Sequence, residues 1–280
     1  MFRVDLGPTS DYPSPMSDDY TQGWFGDGED PARYDPVRMA REGLKPQLPA
    51  RFYREATWER REGGFQLLLD GRPARTRLGR PLMAETGAAA ALLAAEWAAQ
   101  GERIDPATMP VTRMIHASID HVAGAMEAVR ADVVQYAGSD VVCYRAGEPD
   151  KLVALQARHW DPVLRHVEGR YGGRFMLAEG IRFVDQPAEA LAGVAGALEA
   201  ITSPAALSAI HVLTTLAGSA LIALAVTDGA MTPEAGFDAG EVDADYEASV
   251  WGDDEEASAR RALRLADFLA AARLFEAHRG

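Results

Sequence analysis

The chain has 280 residues, 48% hydrophobic and 25% charged, with a formal net charge of −14, an ordinary globular composition at a size that supports a sizeable core. The acidic balance excludes sequence-independent nucleic-acid binding, which needs a basic surface. The only lysines, Lys45 and Lys151, do not follow glycines, which excludes a Gly-Lys-Ser/Thr phosphate loop, and the single cysteine, Cys143, excludes an internal disulfide framework and suits a reducing compartment.

Residues 1–48 are rich in Asp and Pro and are expected to form a flexible acidic tail. They lack the basic, acid-poor character of a mitochondrial presequence and the apolar middle of a secretory peptide, so a bacterial cytoplasm is expected rather than a mitochondrial matrix. Residues 51–82 read as strands of an antiparallel meander. Alternation at Phe65, Leu67 and Leu69 is bounded by the hairpin signals Gly63-Gly64 and Asp70-Gly71. Residues 86–100 read as a helix capped by Thr86 and stopped by a left-handed Gly101. The "IDPATMP" segment is expected to be extended, because residues before proline avoid the helical region.

From Pro110 onward every long segment is helical. One helix is expected over "VTRMIHASIDHVAGAMEAVRADVVQYAG". A second is capped by Asp150, with Pro162 kinking or re-initiating it. After a short irregular or strand-like connection come "AEALAGVAGALEAI", "AALSAIHVLTTLAGSALIALAV", "TPEAGFDAGEVDADYEASVW" and "DDEEASARRALRLADFLAAARLFEAH", each taken as one helix. The fold class is α+β: a mixed domain at 49–130 with antiparallel strands, then an all-helical domain at 131–280. Residues 200–227 carry no charge with His211 neutral, which is long enough to span a bilayer. Their polar residues and the lack of flanking Lys or Arg predict a buried core helix instead, with Gly218-Ser219 permitting close packing.

Chemistry is sparse. No two histidines lie three or four apart, so no helical two-His metal motif exists, and neither Ser139 nor Ser219 sits in a Gly-x-Ser-x-Gly elbow. The acid is concentrated: from Phe183 to Ala259 there are fourteen Asp and Glu and no Lys or Arg. Within that span Val242, Tyr246 and Val250 share a helix face, and Asp243 and Glu247 repel at i, i+4. The cluster over 241–256 reads as a solvated face, a partner surface or, least well, a metal-dependent hydrolase site. It lacks the alternating donors, central Gly and terminal Glu of a calcium loop. Trp97, Trp160 and Trp251 each sit in a helical stripe and are expected to be core or inter-helix residues.

Four stretches carry more. They are "LLLDGRPARTRLGRPL", "AAEWAAQGERIDPATMPVTRMIHASID", "YAGSDVVCYRAGEPDKLVALQARHWDPVL" and "EVDADYEASVWGDDEEA". In this order they resemble the assembly-chaperone family for the alpha subunit of the F1 sector of ATP synthase. The resemblance runs from about Arg51 to Glu276 and departs from the family pattern at Arg75-Thr76-Arg77 and at Asp243-Ala244-Asp245-Tyr246-Glu247. It implies a non-catalytic chaperone without cofactor or metal, which holds the free alpha subunit until the beta subunit displaces it. It implies a mixed N-terminal and a helical C-terminal part, and no membrane insertion. The partner-binding residues expected on this basis are Glu241, Asp243, Asp245, Glu247 and Trp251. Trp97 and Met109 are expected to lock the domain junction, and Trp160 to serve a structural role.

Overall fold

In a computed structural model, residues 48–180, 183–252 and 254–279 are described. The expected acidic tail at 1–48 lies, but for its last residue, outside them. Strands β1 (Ala56–Arg61), β2 (Gly64–Leu69), β3 (Arg72–Pro73) and β4 (Met83–Ala84) form one antiparallel sheet, in which β2 pairs with each of the others. Both glycine turns set its register. Arg61 pairs with Gly64 across Glu62-Gly63, and Leu69 pairs with Arg72 across Asp70-Gly71. Asp70 and Gly71 both have positive φ (49° and 74°), as a primed two-residue turn requires. The Asp70 carboxylate accepts the backbone N–H groups of Arg54 and Glu55, which hold its pKa below the ordinary carboxylate range.

Helix α1 (Gly87–Ala98) begins where Thr86 accepts the Ala89 N–H. It ends at an Ala99 cap in ordinary helical geometry, and Gly101 has no positive φ, contrary to the expected left-handed stop. Gln100 turns its side chain into the next segment, which is not extended throughout as expected: Pro106–Thr108 form a 3-10 turn capped by Asp105, whose side chain accepts the Ala107 N–H. The expected single helix after Pro110 is two, α2 (Pro110–Asp120) and α3 (Met126–Gly138), separated by a 3-10 turn at Val122–Gly124. Conversely α4 (Asp150–Tyr171) is one continuous helix through Pro162, and its cap is Pro149 rather than Asp150. Strands β5 (Tyr144–Arg145) and β6 (Ala178–Glu179) pair in parallel, so the connection after α4 is partly strand.

Helix α5 (Ala188–Glu199) precedes the uncharged run, where the largest correction falls. The run is two helices, α6 (Pro204–Ala217) and α7 (Ala220–Thr227). Gly218 closes α6 in the left-handed region (φ 63°), and Ser219 caps α7 by accepting the Ile222 N–H. A Cβ on Gly218 would meet nothing within 4 Å, so this glycine is required for its backbone angle and not for close packing. No helix among the described residues is long and apolar enough to cross a membrane. The next expected helix is also two, α8 (Pro233–Gly240) and α9 (Val242–Trp251), followed by α10 (Glu255–Glu276).

The core lies among α2, α4, α6, α7, α8 and α10. All eight residues of α7 are buried, and Leu207, Leu213, Leu221, Phe237 and Phe268 are at most 1% exposed. Burying that much apolar surface is the main stabilising term. Gly240 lets α8 approach α6 closely: a Cβ there would sit 2.9 Å from Ala217 Cα. The N-terminal elements are tied into the same body. Arg113 of α2 pairs with Asp267 of α10 at 2.6 Å, and the Thr86 hydroxyl donates to Ala277 O.

Candidate functional site: an acidic helix held in place by polar contacts

Two of the sequence-identified stretches supply three supports. The stretch from Glu96 to Arg113 is a clasp between α1 and α2. Helix α2 starts at Met109-Pro110 with no capping side chain of its own. Glu96, on the last turn of α1, supplies one: its carboxylate accepts the Val111 and Thr112 N–H groups at 2.7 Å and the Thr112 hydroxyl at 2.8 Å. A carboxylate at a helix N-terminus satisfies orphan donors and complements the helix dipole. Burial nevertheless pushes the Glu96 pKa up, against the lowering effect of those hydrogen bonds. Gln100 completes the clasp by accepting the Asp105 N–H and donating to Thr108 Oγ1. Met109 is 2% exposed. Trp97 is half-buried and packs on Tyr53 with ring centroids 5.5 Å apart, while the Tyr53 hydroxyl donates to Trp97 O at 2.6 Å.

The second support is Asp140, fully buried at the 3-10 turn Val141–Cys143. Its two oxygens accept the Val142 N–H at 3.2 Å and the Leu221 N–H at 3.0 Å, the latter in the first turn of α7. Burial pushes its pKa up to about 7, although hydrogen bonds from Ser219 and from the Leu221, Val142 and Ala220 amides act in the opposite direction. Cys143 beside it is buried, and burial pushes its thiol up to about 12, which makes it an inert apolar filler rather than a nucleophile.

The third support leads to the acidic helix. Arg145 pairs with Asp161 at 2.9 Å and lies over the Trp160 ring at 5.3 Å. Trp160 is fully buried and donates its indole N–H to Ala239 O, in α8, at 2.7 Å. Gln156, 3% exposed, accepts the Ala146 N–H at 2.8 Å and donates to Asp243 of α9 at 2.7 Å. One chain of contacts therefore runs from the turn after β5, through α4, to α8 and α9.

Helix α9 is gripped from its other side by α10. Arg261 makes two bonds to Asp245, at 3.0 and 2.9 Å, and one to Asp238 at 3.0 Å, and these partners raise its pKa further. Arg264 reaches both oxygens of Glu241, at 2.9 and 3.1 Å, and donates to Leu216 O. Glu241 is only 6% exposed; burial raises its pKa and Arg264 opposes that shift. Lys151 of α4 sits 5.8 Å from the Tyr246 ring.

The five expected partner residues thus separate into two groups. Glu241, Asp243 and Asp245 point to three different internal partners. Glu247 and Trp251 face solvent, and Trp251 is 86% exposed. The expectation that Trp251 is a core or inter-helix residue is overturned. The Val242 stripe is buried at its first residue only, and Val250 is 51% exposed, because α9 extends past the helices that cover its start. Sequence reasoning passed over Arg261, Arg264 and Gln156 as neighbours of the acidic helix. The signal was available for the arginines: basic residues resume immediately after the acidic span, so a helical hairpin folds them back onto it.

Within the cluster Glu241, Asp243 and Asp245 each engage a different partner. Among the described residues no group of three or more His, Cys, Asp or Glu is placed to hold a metal ion. His166 and Tyr171 converge on Asp228 at 2.7 and 2.8 Å, which ties the end of α4 to the end of α7. A groove at the β1–β2 hairpin is lined by Arg60, Arg61, Glu62, Phe65 and Glu85 and has no Ser, Cys or His in its lining.

Comparison with known proteins agrees with this architecture. The family model described as ATP12 chaperone protein matches residues 50–168. Atp12 from Paracoccus denitrificans superposes with a TM-score of 0.76 at 35% identity, covering 82% of this chain and 99% of that one. A candidate chaperone from Agrobacterium tumefaciens superposes with a TM-score of 0.79 at 44% identity, covering 87% of this chain and 91% of that one. With identity and coverage at these levels along nearly the whole of both relatives, the chain belongs to the ATP12 chaperone family.

Proposed function

We propose that this protein is an assembly chaperone of F1 ATP synthase that binds the free alpha subunit and yields it to the beta subunit, in a bacterial cytoplasm. An unassembled subunit exposes an apolar intersubunit face that is costly in water, and a partner that covers it suppresses aggregation by mass action. The observation that carries the binding surface is the state of α9. It is fastened on two sides by Gln156, Arg261 and Arg264, yet presents Glu247 and Trp251 outward. A fixed surface helix with no internal use for its outer side chains suits recognition, because little ordering remains to be done on binding.

Glu241, Asp243 and Asp245 serve that surface by holding the helix, and Glu247 and Trp251 by meeting the client. The metal-dependent hydrolase reading of residues 241–256 gains no support from carboxylates that each point to a different partner. The test is co-expression with the F1 alpha subunit of the same organism, followed by size-exclusion chromatography. A one-to-one complex that dissolves on adding beta subunit is expected. Alpha subunit that aggregates as much with the chaperone as without it would sink the proposal.

A further inference from the structure

We propose that Trp251 is the anchor by which the α9–α10 hairpin enters an apolar cleft rimmed by Lys and Arg side chains on the client. This rests on the alpha-subunit reading and adds to it the chemistry of the client's receiving surface. Trp251 is the last residue of α9, and the chain reverses immediately behind it at Gly252, with φ of 96°. A Cβ on Gly252 would meet nothing within 4 Å, so the space beside this glycine is open. Among the described residues Trp251, at 86%, is the most exposed of the large apolar side chains, and Val250 beside it is 51% exposed. Such a side chain at the tip of a fixed hairpin is the geometry of a binding hot spot, for which tryptophan is favoured.

The rim identifies the occupant. Glu247, Asp254, Glu255 and Glu256 are all exposed around the turn. Glu256 pairs with Arg260 at 2.8 Å, and Asp254 caps α10 by accepting the Glu256 N–H. Glu247 and Glu255 meet no cation among the described residues. An apolar centre inside an acidic ring fits an apolar cleft with a cationic border. The same ring disfavours the other occupants. Two tips of a chain with net charge −14 would bring like charges together, and nucleic acid and anionic lipid headgroups carry the wrong sign.

The test compares the full-length wild type with Trp251→Ala, Trp251→Phe and Glu247→Lys/Glu255→Lys, each co-expressed with the alpha subunit. Complex affinity and lifetime are measured at two salt concentrations, and thermal melting of each chaperone alone is recorded. The expected result is at least a tenfold loss of affinity in Trp251→Ala with an unchanged melting temperature, and substantial retention in Trp251→Phe. The double charge variant should slow association and flatten its salt dependence. Phe52→Ala, another exposed aromatic (72%), should bind as wild type does. Wild-type affinity in Trp251→Ala overturns the anchor while leaving the alpha-subunit reading intact. No complex with wild type overturns that reading, and the anchor with it. A wild-type dimer in sedimentation that Trp251→Ala abolishes overturns the anchor in favour of self-association.

Discussion

Helices α7 and α9 are of similar length and lie at opposite extremes of burial. Every residue of α7 is buried, whereas α9 buries only Val242. α7 is held by apolar packing, and two polar side chains, Ser219 and Asp140, accept the N–H groups of Ile222 and Leu221 at its start. α9 has almost no packing and is held by side-chain hydrogen bonds and ion pairs to α4 and α10. The first arrangement makes a core. The second makes a surface that stays in place without being consumed by the interior. The comparison shows how a chain can spend its polar residues on keeping an exposed element rigid.

The comparison breaks first at α7. Leu221→Ala removes a fully buried side chain from the centre of the core and should destabilise by about 2–5 kcal/mol, read as a lower urea midpoint at unchanged slope. Asp140→Asn should cost about 1–3 kcal/mol, because an amide NH₂ would face N–H donors that the carboxylate now accepts. Its pH dependence has a definite sign. The folded-state pKa of about 7 lies above the ordinary 3.8. The stability that Asp140 contributes through proton binding is therefore fully present below about pH 4 and is lost as pH rises through about 7. The cost of Asp140→Asn should be larger at pH 5 than at pH 8, and a cost independent of pH would show that the carboxylate stays ionised throughout.

On the α9 side the effects are smaller and local. Gln156→Ala should cost about 1 kcal/mol and should raise hydrogen exchange in α9 while leaving α7 protected. Uniform loosening of both helices would erase the distinction between them. Arg261→Ala removes partly exposed pairs to Asp245 and Asp238 and should cost less than about 1 kcal/mol, decreasing with salt. Loss of client binding without loss of stability in this variant would show that the pairs orient α9 rather than stabilise the fold.

The legible parts of this fold were local in sequence. Thr86, the Asp70-Gly71 turn and the amphipathic helices were readable because their partners lie within a few residues. The break at Gly218-Ser219 was missed because the residues on both sides are equally apolar, so periodicity continues across it. Its stabiliser, Asp140, is far away in the chain. Glu96 as the cap of α2 and Gln156 as the support of α9 were missed for the same reason: a non-local hydrogen bond leaves no periodic trace. Both nevertheless lie in stretches that carry the family resemblance, so the motif is visible in the sequence while its physical purpose is not. The exposure of Trp251 was misjudged because spacing tells which residues share a face but not how far the neighbouring helices extend along it.

The clasp built by Glu96 and Gln100 has a consequence for how the chain meets proteases. Residues 99–109, with Gly101, two acids and a proline, have the composition of a cleavable linker. Yet both ends are stitched to one helix turn, and Met109 is buried. Extended substrate binding by a protease needs several residues free of the body of the protein. Here those residues cannot peel away unless the start of α2 loses its cap, and α2 is tied in turn to α10 through Arg113 and Asp267. Nicking at this segment is therefore expected to report loss of the α2 cap, so the most linker-like sequence of the described residues lies in one of the better-guarded places of the fold.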